Sequence, residues 1–283
     1  MSKSNSTAGS VWLITGCSSG IGREIATVAL EKGHRVVVTA RNPQTVESLV
    51  SQYPDRAIAR ALDVTRRDQI TQVVADTERE FGRIDVLVNN AGYGYLAAIE
   101  EGEEAEVRAM FDTNLFGLIA MTRAVLPGMR SRRSGHIINI SSMAGLLSNP
   151  GTGYYSATKF AVEAITEALS KEVAPFGIRV TGVQPGAFRT DWSGRSLRQT
   201  STPIEAYADT VGARRAMIRN IDGKQPGDPR RAAEAIVAVA EHPQPPLRLL
   251  LGRDVYNAYR AKLDETLRAI TEWEAVTLST DFQ

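Results

Sequence analysis

The sequence predicts a doubly wound α/β fold, a seven-stranded parallel sheet with helices on both faces. Short β-branched runs alternate along the chain with longer segments of helical period. The runs are apolar throughout instead of alternating with polar residues, as strands buried on both faces must be. Seven strands and six crossings also suit 283 residues folded as one domain.

In chain order the apolar runs are residues 11–14, 36–38, 57–62, 84–88, 137–140, 178–183 and 247–251. Ile25, Val28 and Ala29 mark the first crossover as helical, and Val107, Met110, Phe111, Leu115 and Leu118 mark a later one. Residues 1–9 are small and polar and read as a loose terminus. Residues 186–227 break the alternation, being rich in Thr, Ser, Arg and Gly around Phe188, Trp192, Leu197, Tyr207 and Met217. A stretch this long between elements is expected to be a substrate lid that closes its apolar residues over a ligand. Residues 254–283 form a helical extension whose stripe of Leu263, Leu267, Ile270 and Trp273 packs on the protein's own body or on a partner subunit.

Composition removes several functions. With 33 basic and 32 acidic side chains the chain offers no footprint for nucleic acid or an anionic membrane. No apolar run of about 18 residues predicts a membrane span. The single cysteine, Cys17, allows no internal disulfide and suits a reducing cytoplasm. The three histidines lack metal-ligand spacing, so no metal site is expected.

The chemistry collects at strand ends, where open α/β sheets bind ligands. After the first strand comes Gly16-Cys17-Ser18-Ser19-Gly20-Ile21-Gly22, opening into a helix. Glycines at such a turn let the backbone approach a phosphate, and the helix N-terminus offers it free N–H groups. Asn89-Asn90-Ala91-Gly92 follows the fourth strand, Ser141-Ser142 ends the fifth, and Pro185-Gly186 ends the sixth. Tyr155 and Lys159 lie four apart on one helical face, where an ammonium can lower a tyrosine pKa of about 10.

This combination resembles the short-chain dehydrogenase/reductase family over roughly residues 10–190, with the hydroxysteroid- and retinol-type members closest in style. The serine thirteen residues before the tyrosine matches Ser142, and the family's helix asparagine matches Asn114. The resemblance implies that Tyr155 exchanges the hydroxyl proton and that Lys159 lowers its pKa and holds the nicotinamide ribose. It implies that Ser142 holds the substrate oxygen and Asn114 a water linked to Lys159. By the same token Gly16, Ser18, Ser19, Gly20, Ile21, Gly22, Asn89, Ala91, Gly92, Pro185, Gly186, Phe188 and Thr190 would contact the cofactor, and Asp63 and Val64 its adenine. The acidic position that binds the ribose of NAD falls on Ala40, and Arg41 follows, so NADP(H) is expected over NAD. Tyr93, Leu146, Leu147 and Trp192 would face an apolar small-molecule substrate. The resemblance implies a homo-oligomer, a dimer or tetramer, although a helical tail replaces the ending that normally packs in one tetramer interface. The expected activity is hydride transfer between NADP(H) and a carbonyl or secondary alcohol. The alternatives are a ketoacyl reductase of fatty-acid metabolism and a non-catalytic NADP(H) sensor.

Overall fold

A computed structural model of the chain describes residues 9–192, 194 and 196–282, so residues 1–8 of the expected loose terminus lie outside it. Among the described residues nine strands run β1 (Val11–Ile14), β2 (Arg35–Ala40), β3 (Ala57–Ala61), β4 (Val86–Asn89), β5 (Gly94–Leu96), β6 (Gly135–Ile140), β7 (Ile178–Pro185), β8 (Leu197–Gln199) and β9 (Arg248–Leu251). The helices are α1 (Gly20–Glu31), α2 (Glu47–Val50), α3 (Arg67–Phe81), α4 (Glu104–Phe111), α5 (Leu118–Arg132), α6 (Gly153–Val173), α7 (Ala213–Asn220), α8 (Pro229–Glu241), α9 (Arg253–Glu272) and α10 (Glu274–Leu278).

Seven strands form the main sheet in the order β3-β2-β1-β4-β6-β7-β9, and every pairing is parallel. The period of two distributes each strand between two cores. Trp12, Ile14, Val36, Val38, Val86, Val88 and Ile138 face α1 and α8. Leu13, Val37, Leu87 and Ile137 face α3, α5 and α6. The apolar runs are continuous because both faces are covered. Strand order reverses between β1 and β4, and the crevice that this opens at their carboxyl ends is where ligands bind in such sheets.

Helices α4 and α5 are joined by a π-helical turn, Asp112–Gly117, into one continuous helix. By length and composition Glu104–Arg132 could cross a membrane, although Asp112 and Arg123 interrupt its apolar residues. In the fold its residues Met121, Val125 and Met129 are buried against the sheet. The stretch 186–227 carries more regular structure than its composition announces: β8 pairs in parallel with β5, and α7 follows. The C-terminal stripe is not packed on the body. Leu263, Leu267, Ile270 and Trp273 are 49–65% exposed, and only Val255 of α9 is buried.

Candidate active site

The glycine loop sits at the end of β1. Gly16 and Gly20 have φ of +71° and +62°, which side chains rarely adopt. A Cβ on Gly22 would lie 2.2 Å from Asn90 Nδ2, and that amide donates to the Thr15 and Gly16 carbonyls, both at 2.9 Å. Asn90 therefore clamps the loop from β4, and Thr15 Oγ1 accepts from the N–H groups of Asn90 and Ala91 at 2.9 and 3.0 Å. Two adjacent asparagines did not reveal which one would do this. Asn89, expected on the cofactor, points its side chain into the interior and donates to Asn139 Oδ1 (2.9 Å) and Thr122 Oγ1 (3.1 Å). Cys17 is buried and donates to the Ile14 carbonyl, and burial pushes its thiol up to about 12.

Along the carboxyl edge runs one cavity of about 770 Å³. Its walls include Gly16, Ser18, Ser19, Gly20, Ile21, Arg41, Asp63, Val64, Ala91, Gly92, Tyr93, Ser142, Tyr155, Lys159, Pro185, Gly186, Phe188, Thr190 and Trp192. Of the other residues expected there, Gly22, Asn89 and Asn114 stand behind the wall. Arg41, at the end of β2 next to buried Ala40, is exposed and has no ion pair among the described residues. Asp63 Oδ1 accepts from Thr65 N and Oγ1 at 2.9 and 2.7 Å, fixing the turn after β3.

At the centre of the cavity Tyr155 and Lys159 project from α6, and both are buried. Ser142, two residues beyond β6, lines the cavity beside Tyr155, and its Oγ accepts from Ala144 N at 3.1 Å. Burial lifts the Tyr155 pKa to about 12, and neighbouring Ser142 only partly offsets it. Lys159 Nζ donates to the Ile140 carbonyl at 2.8 Å and lies 5.8 Å from the Tyr155 ring centroid. Burial drops the lysine to about 8. In the free protein the lysine is thus the first of the pair to lose a proton, because burial disfavours its charged form as it does the tyrosinate.

Asn114 lies on the π turn, 1% exposed. Its Oδ1 accepts from Tyr93 N at 3.0 Å, while Nδ2 donates to Tyr93 O at 2.8 Å and Thr158 Oγ1 at 3.2 Å. Both polar atoms of the amide are engaged within the protein, so its visible work is to fix Tyr93.

The substrate end departs from the apolar expectation. Tyr93 and Trp192 line it, and Trp192 lies 5.5 Å from the Tyr155 ring. Leu146 is buried outside the cavity wall, and Leu147 faces a separate groove against Ala258, Ala261 and Lys262 of α9. Their places are taken by Ile218, Ile221, Arg214 and Gln225 from the segment read as a polar stretch. Two further residues were given no role by the sequence. Ser141 lines the cavity with a buried hydroxyl that has no partner. Asp254 Oδ2 accepts from Ala187 N at 2.7 Å, and a Cβ on Gly186 would lie 2.1 Å from this carboxylate, so Asp254 fixes the Pro-Gly turn.

Comparison with known proteins identifies the architecture. The family profile described as short chain dehydrogenase matches residues 10–201. Oxidoreductase BOA17 of Botryotinia fuckeliana is 40% identical over 271 residues, 95% of this chain and 98% of that protein. The crystal structure of a short-chain dehydrogenase from Streptomyces avermitilis is 46% identical, covers 97% of this chain and 100% of its own, and superposes with a TM-score of 0.91. A 3-ketoacyl-(acyl-carrier-protein) reductase from Brucella melitensis, complexed with NADH, is 27% identical over 86% of this chain and 97% of its own, with a TM-score of 0.73. Other similar structures hold NADP.

Proposed function

The chain belongs to the short-chain dehydrogenase/reductase family, and on that premise we propose that it is an NADP(H)-dependent oxidoreductase acting on a carbonyl or secondary alcohol. One observation carries the reading. Ser142 from the turn after β6, with Tyr155 and Lys159 from α6, lines the cavity that also contains the glycine loop. The cavity fits a dinucleotide: Gly16 and Gly20 open a backbone cradle at the start of α1, and Arg41 offers an unpaired guanidinium where a 2′-phosphate would lie. Cofactor contacts are assigned to Gly16, Ser18, Ser19, Gly20, Ile21, Arg41, Asp63, Val64, Ala91, Gly92, Pro185, Gly186, Phe188 and Thr190, which all line that space. When bound, the nicotinamide supplies or accepts the hydride at the carbonyl carbon.

The chain's own part is proton handling. Ser142 donates to the carbonyl oxygen and aligns it with Tyr155. Tyr155, fully protonated below a pKa of about 12, gives its proton to that oxygen as the alcohol forms. Lys159, which titrates near 8, stabilises the tyrosinate and supplies the electrostatic bias for its reprotonation. In the oxidative direction the same proton returns from the alcohol to Tyr155.

The test is a panel of aldehydes, ketones and secondary alcohols read by NADPH absorbance, with Tyr155→Phe beside the wild type. Turnover should fall by about 10²–10⁴-fold in the variant, the usual contribution of a general acid, while NADPH binding measured by fluorescence persists. Wild type should bind NADPH more tightly than NADH. A Phe variant that keeps a tenth of wild-type kcat would remove Tyr155 from the reaction.

A further inference from the structure

We propose that Arg214 is the specificity residue of this site and that it recognises a carboxylate on the substrate, so that the substrates are oxo- or hydroxy-acids whose apolar chain separates the anion from the reacting carbon. This rests on the carbonyl–alcohol reading given above.

Helix α7 and its flanks present Val211, Arg214, Ile218 and Ile221 at helical spacing. Val211 and Ile218 are buried, and Arg214, Ile218 and Ile221 line the cavity. Arg214 is thus the one charged group in an otherwise apolar stripe. Its Nη1 reaches only the Met217 thioether, at 3.3 Å, a weak acceptor. Its Nε is buried with no hydrogen-bond partner. Burial alone holds its pKa below the ordinary guanidinium value, with no carboxylate to offset it.

Neighbouring arginines show that this is unusual for the region. Arg215 pairs with Glu101, and Arg198 pairs with Glu106 at 2.7 Å. Arg214 has no such partner among the described residues. A guanidinium half-buried beside a cavity carries a desolvation cost that an incoming anion would relieve, and its planar fork matches a carboxylate bidentately.

Position converts that charge into a substrate class. Trp192 meets Tyr155 at a tilt, with ring centroids 5.5 Å apart, and packs with Ile218. Ile218 lies one helical turn from Arg214. A molecule held at Tyr155 by its carbonyl and at Arg214 by its anion therefore runs over Trp192 and Ile218, both apolar. An acid with an apolar chain between its two groups can follow this path, whereas neutral ketones leave the guanidinium without an anion.

The experiment compares oxo-carboxylates of increasing chain length with their methyl esters, using NADPH and the full-length protein. Wild type should favour the best acid over its ester in kcat/KM by about 10–150-fold, the worth of a charge-assisted hydrogen bond. Arg214→Met should collapse that ratio towards unity, chiefly through KM of the acid, and Arg214→Lys should restore part of it. Retained NADPH binding and an unchanged melting temperature in Arg214→Met separate lost recognition from lost folding. As a readout apart from turnover, medium-chain fatty carboxylates should bind wild type competitively and Arg214→Met weakly. An acid-to-ester ratio near one in wild type, or one unmoved in Arg214→Met, overturns the assignment. Turnover of neither acids nor esters, with neutral ketones and alcohols also inert, would instead overturn the carbonyl–alcohol reading itself.

Discussion

Burial outweighs pairing in the proton chemistry of Tyr155, Lys159 and His136. His136 shows this away from the site. It lies on β6, fully buried, with Nε2 3.0 Å from Thr181 Oγ1, and burial drops its pKa to about 4. A folded-state pKa below the ordinary 6.5 means that the unfolded chain binds the extra proton between those values. Stability should therefore decline as pH falls from about 6.5 to about 4, by up to about 3 kcal/mol for this group. Urea unfolding across that window should show the decline, and His136→Gln should flatten it. An identical pH slope in both proteins would assign the loss to other groups. At this scale the motif residues were legible because chemistry demands fixed types and spacings: the glycine loop, Ser142, Tyr155 and Lys159 all reach the cavity. Arg214 was not legible, because nothing in a stretch of mixed polar sequence says which arginine will lack a partner. Nor did the sequence separate Asn89 from Asn90, since neighbours on a strand face opposite ways and the motif does not say which way is inward.

Among the elements, the main-sheet strands were readable because burial on both faces forces unbroken apolar runs. The pair β5 and β8 was not, since strands of three residues carry too little pattern to register. The π turn between α4 and α5 was equally hidden, as it differs from the α-helix by one hydrogen-bond step, not by composition. Its effect is local: it turns Asn114 inward, where the amide pairs with both the N–H and the carbonyl of Tyr93. Asn114→Ala would strand both backbone groups. The expected cost is about 1–3 kcal/mol by chemical denaturation, with a fall in turnover as Tyr93 loses its position. A variant of unchanged stability would mean that water replaces the amide without penalty.

For the molecule as a whole, the cavity roof is fastened to the body by a run of glutamates just before and within the start of α4. Glu101, buried, accepts from Ala98 N and Ile204 N at 2.8 Å each and pairs with Arg215. Glu103 accepts from Ser201 N and Oγ, Glu106 pairs with Arg198, and Glu100 accepts from the Tyr207 hydroxyl. Burial would raise the Glu101 pKa, but the bonds from Ala98, Ile204 and Arg215 outweigh it and hold it below the ordinary value. Such a carboxylate contributes its stability above the ordinary carboxylate range and loses it as pH falls through the lowered value. Glu101→Gln leaves a largely buried Arg215 without its counter-charge and should admit protease within residues 196–215 at neutral pH, where wild type should resist. Mass spectrometry of the fragments gives the cut site. Equal resistance of both proteins would show that β5–β8 pairing alone holds the roof.

The bond between Asp254 and Ala187 spans 67 residues of chain. The Pro185-Gly186 turn in the cavity wall therefore waits, during synthesis, for a residue made long after it. Sheet, glycine loop, tyrosine and lysine are all translated earlier, yet the wall next to them acquires its carboxylate anchor only when the start of α9 emerges. Completion of this part of the cavity wall is thus a late event in the synthesis of each chain.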